Sequence, residues 1–343
     1  MEEQVEEQRV ADVRRLIVRV PNWLGDAVMA LPALGALRRH FAGAHLTIVA
    51  RASIAPLFAT ETDARPDAVV AAARETERDQ LREIQSDAIL LFTNSFRSAW
   101  VARRAGVAER WGYRTSGRGW LLTRGVRRPR GRIHMTQYYL ELVRRLGIDA
   151  PDTPPRVTVP PALRARGEAL LADAGVAAHA PVVGFAPGAA YGRAKRWPPD
   201  RVAAVAARLD ARGIVPVLVG ASDDRGTGRE IESSLPAGAR VVNLIGRTDL
   251  RALAGVLARC RAFVSNDSGA MHLAAAIGVP VAAIFGPTDE RVTAPAGPRS
   301  ADLDVIQRDV FCRPCLLREC PIDHRCMKRI QVDDVLASVE RWL

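Results

Sequence analysis

Short apolar runs alternate with helical patterns along the first half of the chain. The apolar runs predict buried strands at Arg15–Val20, His45–Ala50 and Asp87–Phe92. A turn at Pro21–Gly25 and a helical pattern over Asp26–His40 separate the first two runs. Strands that alternate with helices in this way predict parallel βαβ units.

A proline-rich segment, residues 150–161 (APDTPPRVTVPP), interrupts this alternation and is the best candidate for a linker between domains. The elements predicted beyond it are a strand at Pro181–Ala186, a helix at Asp200–Arg212, strands at Ile214–Gly220 and Arg240–Ile245, a helix at Asp249–Arg259, a strand at Ala262–Asn266, a helix from Gly269, a strand at Val279–Phe285 and a last amphipathic helix at Asp333–Leu343. Because 343 residues exceed one compact core, we predict an α/β chain. It would have two doubly wound, Rossmann-like domains, residues 1–155 and 156–343, facing each other across a cleft.

The composition is that of a soluble globular protein, with 48% hydrophobic and 25% charged residues. No apolar run reaches the roughly 18 residues of a transmembrane helix. The first residues, MEEQVEEQ, are acidic and polar, unlike a signal peptide. These features together predict a cytoplasmic protein.

Positive charge is concentrated in one part of the chain. The net charge is +11, and the stretch Phe96–Arg145 holds thirteen arginines, no lysine and two acids. It is either a solvated arginine-rich surface or a docking surface for a polyanion, such as a phosphorylated lipid or nucleic acid. An aromatic content of 5% argues against a surface built for stacked bases. Lys195 and Lys328 are the only lysines, and a compact ammonium group suits a phosphate.

The loop after the first predicted strand carries a carboxylate. Gly25 allows a tight turn, and Asp26 stands where the next helix begins, at the carboxyl edge of a sheet. Ligands of open α/β sheets bind at that edge. Asp26 is therefore either the N-cap of the helix or a base that accepts a proton from a substrate hydroxyl.

A second loop, residues 185–198, places Gly188 and Gly192 before Lys195. No Gly-Lys-Ser/Thr sequence follows the glycines, so the spacing excludes a P-loop. Glycines beside a cation still suit a phosphate, although an exposed basic loop has the same pattern.

A third loop leads from the predicted strand Ala262–Asn266 into an alanine-rich helix. Asp267, Ser268 and Gly269 stand at this junction, where free N–H groups and the helix dipole favour an anion. Simple capping by Asp267 or Ser268 is the alternative. His272, one turn further on, is expected to be packed. Two such loops from one domain predict a diphosphate site.

Five cysteines are present, and Cys260 stands alone and is expected to be buried. The other four lie close together in sequence, at Cys312, Cys315, Cys320 and Cys326. Disulfides are disfavoured in a cytoplasmic protein. These four are therefore interpreted either as ligands of a structural zinc ion or iron–sulfur cluster, or as reduced structural thiols.

Taken together, the motifs resemble glycosyltransferase family 9, the ADP-heptose:lipopolysaccharide heptosyltransferases, and its heptosyltransferase II-like members in particular. The resemblance covers nearly the whole chain and is carried by residues 22–26 (NWLGD), 186–198 (APGAAYGRAKRWP), 265–276 (SNDSGAMHLAAA) and 280–289 (PVAAIFGPTD). It implies a GT-B fold, no metal requirement for catalysis and inversion at the anomeric carbon.

The resemblance also implies roles for individual residues. Asp26 would be the general base, and Lys195 would bind the diphosphate of ADP. Asp267, with the amides of Ser268 and Gly269, would hold the donor heptose and phosphate. The remaining donor-binding candidates are Gly25, Gly188, Tyr191 and Asp224.

The implied donor is ADP-L-glycero-D-manno-heptose, and the implied acceptor is the heptosyl-Kdo inner core of lipopolysaccharide. The basic candidates for contact with the acceptor and an anionic membrane surface are Arg127, Arg128, Arg130 and Arg132. The enzyme would then be a monomer at the cytoplasmic face of the inner membrane.

Three other functions compete with this one. Another nucleotide-sugar transferase or a UDP-sugar epimerase would use the same two domains. A basic nucleic-acid-binding protein would account for the charge and the cysteines, but not for three loops suited to a diphosphate. A non-catalytic sugar-nucleotide-binding module is disfavoured by Asp26.

Overall fold

Two compact units make up the chain, Met1–Pro155 and Arg156–Leu343, and they divide inside the proline-rich segment 150–161. The computed structural model describes residues 13–343. The N-terminal sequence MEEQVEEQ, which argues against a signal peptide, lies outside the described residues. No helix within residues 13–343 is long and apolar enough to cross a membrane.

A parallel six-stranded sheet forms the centre of the first unit within its described residues. The strands are β1 (Arg15–Arg19), β2 (His45–Arg51), β3 (Ala68–Ala72), β4 (Ala88–Leu91), β5 (Glu109–Tyr113) and β6 (Arg124–Val126). The α-helices are α1 (Leu24–Met29), α2 (Leu31–His40), α3 (Glu77–Ile84), α4 (Phe96–Arg104) and α5 (Met135–Arg144), and 3₁₀ turns lie at Ala55–Ala59 and Gly119–Leu121.

The second unit is built around another parallel six-stranded sheet. The strands are β7 (Val182–Ala186), β8 (Val215–Leu218), β9 (Val242–Asn243), β10 (Ala262–Asn266), β11 (Val281–Phe285) and β12 (Leu303–Gln307). The α-helices are α6 (Pro161–Asp173), α7 (Pro199–Asp210), α8 (Arg225–Ser233), α9 (Leu250–Arg259), α10 (Gly269–Ile277), α11 (Glu290–Thr293), α12 (Arg325–Lys328) and α13 (Val332–Glu340), and 3₁₀ turns lie at Arg193–Lys195, Ser222–Asp224 and Ser300–Asp302.

The two sheets have the same topology. The first has the order β3-β2-β1-β4-β5-β6 and the second the order β12-β11-β10-β7-β8-β9. Counted from the first strand of each unit, both follow the doubly wound order 3-2-1-4-5-6. The order reverses between β1 and β4, where Leu16 pairs with Ala88, and between β7 and β10, where Val183 pairs with Ala262. Such switch points bind ligands in α/β sheets, and the predicted pair of doubly wound α/β units is confirmed.

Burial separates the central strands from the edges of the sheets. Every residue of β4, β7, β10 and β11 is buried, as expected for parallel strands covered by helices on both faces. The edge strands β3, β6, β9 and β12 are partly exposed. The apolar pattern therefore predicts the central strands correctly, but it does not predict β3, β5, β6 or β12.

The helix predicted at Asp26–His40 is in fact two helices, α1 and α2, that meet at Ala30. Pro32 lies in the first turn of α2 and has no N–H group to continue the hydrogen bonding of α1. Asp26 therefore belongs to a separate helix of six residues.

Candidate active site

The carboxyl end of β1 leads into the loop that carries Asp26. Trp23 takes the N-cap position of α1, and Asp26 lies in the first turn of this helix. The interpretation of Asp26 as a helix cap is therefore wrong. Gly25, beside it, is buried, whereas Asp26 is half-buried. A carboxylate in the first turn is stabilised by the helix dipole.

The carboxylate of Asp26 has a neutral partner. The hydroxyl of Tyr139, on α5, forms a hydrogen bond with it. Tyr139 is 3% exposed, and its ring lies 5.2 Å from that of Phe92. Burial raises the pKa of Tyr139 well above its usual value, and the charge of Asp26 raises it further. Tyr139 therefore stays a neutral phenol that donates to the carboxylate and orients it.

A buried ion network supports the same loop. Arg19, at the end of β1, donates to Glu77 (Nε–Oε1 2.6 Å) and to the side-chain oxygen of Asn22 (3.0 Å). Arg97 donates to the other oxygen of Glu77 at 2.5 Å. Burial by itself would raise the pKa of Glu77, but the two guanidinium groups outweigh it and hold this pKa below its ordinary value. Glu77 is therefore charged, and Arg19 fixes the start of the Asp26 loop through Asn22.

A second buried arginine holds the loop that follows β4. Arg118 donates to the backbone carbonyls of Tyr113 and Thr93 and to the hydroxyl of Ser98. Burial lowers the pKa of Arg118 to about 10, which leaves the side chain charged at neutral pH. A positive charge therefore lies beneath the β4 loop, next to the β1 loop at the switch point of the first sheet.

In the second unit, Lys195 and Asp267 meet at the switch point. Lys195 lies in the loop after β7, and Asp267 directly follows β10. Their Nζ–Oδ2 distance is 2.7 Å, and the side chains are 12% and 6% exposed. The ring of Tyr191 lies 4.9 Å from the ammonium group. Because an ammonium group has three donors, Lys195 can keep Asp267 and still bind phosphate oxygens.

Asn266 joins the two loops of this switch point. Its side-chain amide donates to the carbonyl of Pro187 at 2.7 Å, and its side-chain oxygen accepts from the amide of Trp197 at 3.2 Å. Asn266 and Trp197 are both buried. Asn266 is a site residue that was not predicted, although it lies within residues 265–276 (SNDSGAMHLAAA).

Ser268 caps α10, since its hydroxyl accepts a hydrogen bond from the amide of Met271 at 3.4 Å. The alternative of capping is thus confirmed for Ser268 and wrong for Asp267. The first turn of α10 begins at Gly269, beside the Lys195–Asp267 pair, so the N–H groups there suit an anion. His272 is buried, as expected.

Asp224 lies against the glycine loop. A Cβ atom added at Gly188 would lie 2.2 Å from the carboxylate of Asp224, so only glycine allows this approach. Arg196 pairs with Asp224 at 3.3 Å. Burial raises the pKa of Asp224 more than the nearby guanidinium group of Arg196 lowers it. The role of Asp224 in binding the donor stays a prediction.

The cysteine-rich segment, residues 312–326, contacts the loop that carries Lys195. The hydroxyl of Tyr191 donates to the carbonyl of Leu316 at 2.8 Å, and the amide of Ala194 donates to that of Arg318 at 2.9 Å. A Cβ atom at Gly192 would lie 2.3 Å from the same Arg318 carbonyl. The segment therefore helps to position Tyr191 and Lys195, a role that the cysteine spacing does not indicate.

All five cysteines are free thiols. Cys260 is buried, as predicted, and burial raises its pKa to about 12. Burial also raises the pKa of Cys326, and the neighbouring thiols of Cys312, Cys315 and Cys320 raise it further. In the described part of the chain, no three His, Cys, Asp or Glu side chains are grouped as metal ligands. As arranged here, the four sulfurs do not fit a metal centre, and the metal stays a prediction.

The basic candidates lie beyond the edge strand β6. All four are exposed, namely Arg127, Arg128, Arg130 and Arg132. The guanidinium group of Arg128 lies 5.5 Å from the ring of Tyr138. Their exposure is compatible with docking to an anionic surface, and that role stays a prediction.

Known proteins resemble this chain over most of its length. The sequence profile of glycosyltransferase family 9 (heptosyltransferase) matches residues 76–325. Lipooligosaccharide heptosyltransferase 2 of Haemophilus influenzae is 30% identical over 312 residues, which cover 86% of this chain and 90% of that protein. Lipopolysaccharide heptosyltransferase 2 of Escherichia coli is 31% identical over 297 residues, 82% and 85% of the two chains.

Solved structures give the same result. The E. coli ADP-heptose LPS heptosyltransferase II superposes with a TM-score of 0.81 at 27% identity, over 96% of this chain and 98% of that one. A glycosyltransferase of family 9 from Veillonella parvula has a TM-score of 0.80 at 20% identity, over 96% and 97%, which shows a shared fold.

The chain has two doubly wound sheets, one with a carboxylate and the other with a lysine at its switch point. Together with these matches, this arrangement identifies a glycosyltransferase of the GT-B fold. The profile match spans more than half of the chain. The chain belongs to glycosyltransferase family 9, the heptosyltransferases.

Proposed function

We propose that this enzyme transfers heptose from ADP-L-glycero-D-manno-heptose to the heptosyl-Kdo inner core of lipopolysaccharide, with inversion at the anomeric carbon. The observation that carries the proposal is the likeness, at 30–31% identity over more than four fifths of the chain, to two enzymes named heptosyltransferase 2. Lys195 and Asp267, paired at 2.7 Å beside the N-terminus of α10, supply the donor half of such a site. Asp26 supplies the base.

In the donor half, negative charge develops on the diphosphate as its bond to the heptose breaks. Lys195 and the N–H groups at the start of α10 stabilise that charge in the transition state. Asp267 keeps Lys195 in place and accepts a hydrogen bond from a heptose hydroxyl. Tyr191 lies over the ammonium group and limits its access to water.

In the acceptor half, Asp26 takes the proton of the acceptor hydroxyl as the oxygen attacks the anomeric carbon. The hydrogen bond from Tyr139 orients the carboxylate for this step. Attack from the side opposite the leaving diphosphate inverts the anomeric configuration, so no covalent sugar–enzyme intermediate forms.

A transfer assay tests the proposal. The enzyme is incubated with purified heptosyl-Kdo₂-lipid A and with ADP-heptose, UDP-sugars or GDP-sugars in parallel. Mass spectrometry should show one added heptose only in the reaction with ADP-heptose. NMR of the product should show the inverted anomeric configuration. Transfer from another nucleotide sugar, or interconversion of a UDP-sugar without transfer, would favour the competing enzymes of the same fold.

We further propose that the enzyme works at the cytoplasmic face of the inner membrane, with Arg127, Arg128, Arg130 and Arg132 attracted to anionic lipids. Replacing all four with Gln should raise the apparent KM for the lipid acceptor and leave that for the donor unchanged. Binding of wild-type enzyme to anionic liposomes should fade as salt rises to several hundred millimolar. Loss of DNA binding in the variant, with liposome binding unchanged, would favour the nucleic-acid alternative.

A further inference from the structure

Three exposed aromatic side chains form a cluster on the surface of the first unit. Phe96, Trp100 and Trp120 are 41%, 40% and 62% exposed. Their ring centroids lie 6.3 Å apart for Phe96 and Trp100, 6.2 Å for Phe96 and Trp120, and 6.4 Å for Trp100 and Trp120. Phe96, Trp100 and Trp120 together form the aromatic cluster.

The aromatic cluster is not needed to fill the core. On α4, Ala99 and Ala102 are completely buried and pack inward, while Phe96 and Trp100, one turn apart, remain exposed. In the 3₁₀ turn Gly119–Leu121, Leu121 is buried and its neighbour Trp120 is exposed. Since small and aliphatic residues already fill the interior here, packing inside the unit does not explain three contiguous rings at the surface. Contiguous apolar patches on a protein surface mark interaction sites.

Two arginines accompany the rings. The guanidinium group of Arg103 lies 5.2 Å from the centroid of Trp120, and that of Arg104 lies 5.8 Å from the centroid of Trp100. Both arginines are exposed, and they follow Phe96 by two turns of the same helix. The surface is therefore both aromatic and cationic, within the stretch that holds thirteen arginines.

This combination distinguishes between kinds of partner. Single-stranded nucleic acids stack their bases on open ring faces, whereas a guanidinium group lies over one face of Trp100 and another over one face of Trp120 here. A contact between two copies through this patch would bring like charges together. At the interface of an anionic bilayer, tryptophan rings lie among the headgroups and arginines approach the phosphates. The bilayer thus fits both the rings and the charges.

We propose that the aromatic cluster inserts into the interfacial region of an anionic bilayer and anchors the first unit there. The proposal rests on the proposed function, because the lipid acceptor would lie in the same bilayer. Inserted rings contribute to the free energy of membrane binding through the hydrophobic effect, which salt does not screen. Surface arginines contribute through electrostatic attraction, which salt screens. The aromatic cluster should therefore account for the binding that survives at high salt.

Co-sedimentation with vesicles of phosphatidylcholine, with and without phosphatidylglycerol, tests the proposal. The variant is W100S/W120S, and the matched control is Phe311→Ser. Phe311 is 79% exposed and has the guanidinium group of Arg325 4.8 Å from its ring centroid, but it belongs to the second unit and not to the cluster. The double variant should bind anionic vesicles at least about tenfold more weakly and lose the salt-resistant part. The control should bind like the wild-type enzyme.

Other results would overturn the proposal. Equal vesicle binding by the double variant and the wild-type enzyme would do so directly. A dimer of the wild-type enzyme in sedimentation velocity that the double variant abolishes, with vesicle binding unchanged, would assign the cluster to contact between copies. Loss of oligonucleotide binding alone would assign it to nucleic acid. Unchanged thermal transitions show that the variants are folded.

Two acceptors separate this proposal from the proposed function. A deacylated, water-soluble inner-core oligosaccharide needs no membrane, so the double variant should transfer heptose to it at the wild-type rate. With the acceptor embedded in vesicles, the double variant should have a raised apparent KM. A wild-type enzyme inactive on both acceptors would contradict the proposed function. If the double variant transferred heptose to both acceptors as the wild-type enzyme does, the result would contradict the membrane anchoring but not the proposed function.

Discussion

The two sheets share one topology but carry different chemistry where their strand order reverses. In the first sheet, a neutral phenol from Tyr139 holds the carboxylate of Asp26. In the second sheet, the carboxylate of Asp267 holds the ammonium group of Lys195 at 2.7 Å. One site is suited to accept a proton and the other to stabilise a leaving anion. The fold thus supplies two equivalent positions, and a few side chains give each one a different chemistry.

The two sites are also supported by different means. Under the Asp26 loop lies a buried ion network of Arg19, Glu77 and Arg97. The loop of Lys195 is instead held by the neutral amide of Asn266 and by backbone bonds to the cysteine-rich segment. Removal of one member of a buried ion network leaves an uncompensated charge, which costs more than the loss of a neutral hydrogen bond. Substitutions in the two supports should therefore have different consequences.

The largest effect is expected at Asp26. Asp26→Asn keeps the size of the side chain but cannot take the acceptor proton, so kcat should fall by about 10²- to 10⁴-fold. Affinity for ADP, measured by calorimetry, should stay within a few-fold, because Asp26 is proposed to act on the acceptor. The control is Asp79→Asn, an exposed acid on α3, which should leave both values unchanged. Near-normal turnover by Asp26→Asn would remove the base from the first site.

The next largest effect concerns stability. Glu77→Ala leaves Arg19 buried without its carboxylate and should lower the free energy of unfolding by about 3–5 kcal/mol, measured with denaturant at neutral pH. Because the pKa of folded Glu77 lies below its ordinary value of 4.5, its contribution is present above pH 4.5 and is lost as pH falls through the folded value. The wild-type enzyme should therefore lose stability in this acidic range more steeply than the variant.

Asp79→Ala, on the same helix, is the control for Glu77→Ala because Asp79 is exposed and its pairing with Arg78 is worth little. If Glu77→Ala were as stable as this control, or had the wild-type response to acid, the ion network would not be what supports the Asp26 loop.

A smaller effect is expected on the donor side. Lys195→Ala should weaken ADP binding by about 10- to 100-fold, equivalent to about 1.5–3 kcal/mol for a charge-assisted phosphate contact. Asp267→Ala should weaken binding of ADP-heptose more than binding of ADP, because Asp267 is proposed to bind the sugar as well as to hold Lys195. Lys328→Ala, at the other, exposed lysine, is the control. Equal ADP affinity in Lys195→Ala and the control would place the diphosphate elsewhere.

Much of the fold can be predicted from the sequence because its central strands are uniformly apolar. Strands such as β7 and β11 are buried on both faces, so their residues form continuous apolar runs. Strands at or next to the edges have no such run: β5, which lies beside the edge strand β6, is ERWGY, and the edge strand β12 is LDVIQ. Both mix charged or polar residues with apolar ones. The break between α1 and α2 could have been predicted from Pro32, which stands inside the helical pattern.

The candidate site was predictable only where its residues stand in loops next to predicted strands. Lys195 and Asp267 are far apart in sequence, yet both follow central strands, so the sheet edge brings them together. The pairing itself was not predicted. Arg19 was detectable in principle, as a charge at the end of an apolar strand that requires a buried partner. Tyr139 lies in the middle of α5, where its aromatic side chain has the pattern of a core residue, and nothing local relates it to Asp26.

The smallest effect, and the sharpest test of the first site, is expected at this missed residue. Tyr139→Phe keeps the buried ring against Phe92 and removes only the hydroxyl that donates to Asp26. Without this donor the carboxylate is less well oriented, so kcat should fall by about 2- to 10-fold, the equivalent of about 0.5–1.5 kcal/mol for one hydrogen bond. The KM for ADP-heptose should not change, since the donor half is untouched.

Tyr113→Phe is the matched control: it removes a buried hydroxyl that donates to the Tyr138 carbonyl at 2.7 Å, and it should affect stability more than kcat. If both variants lowered kcat equally, Tyr139 would act through packing of the unit and not through Asp26.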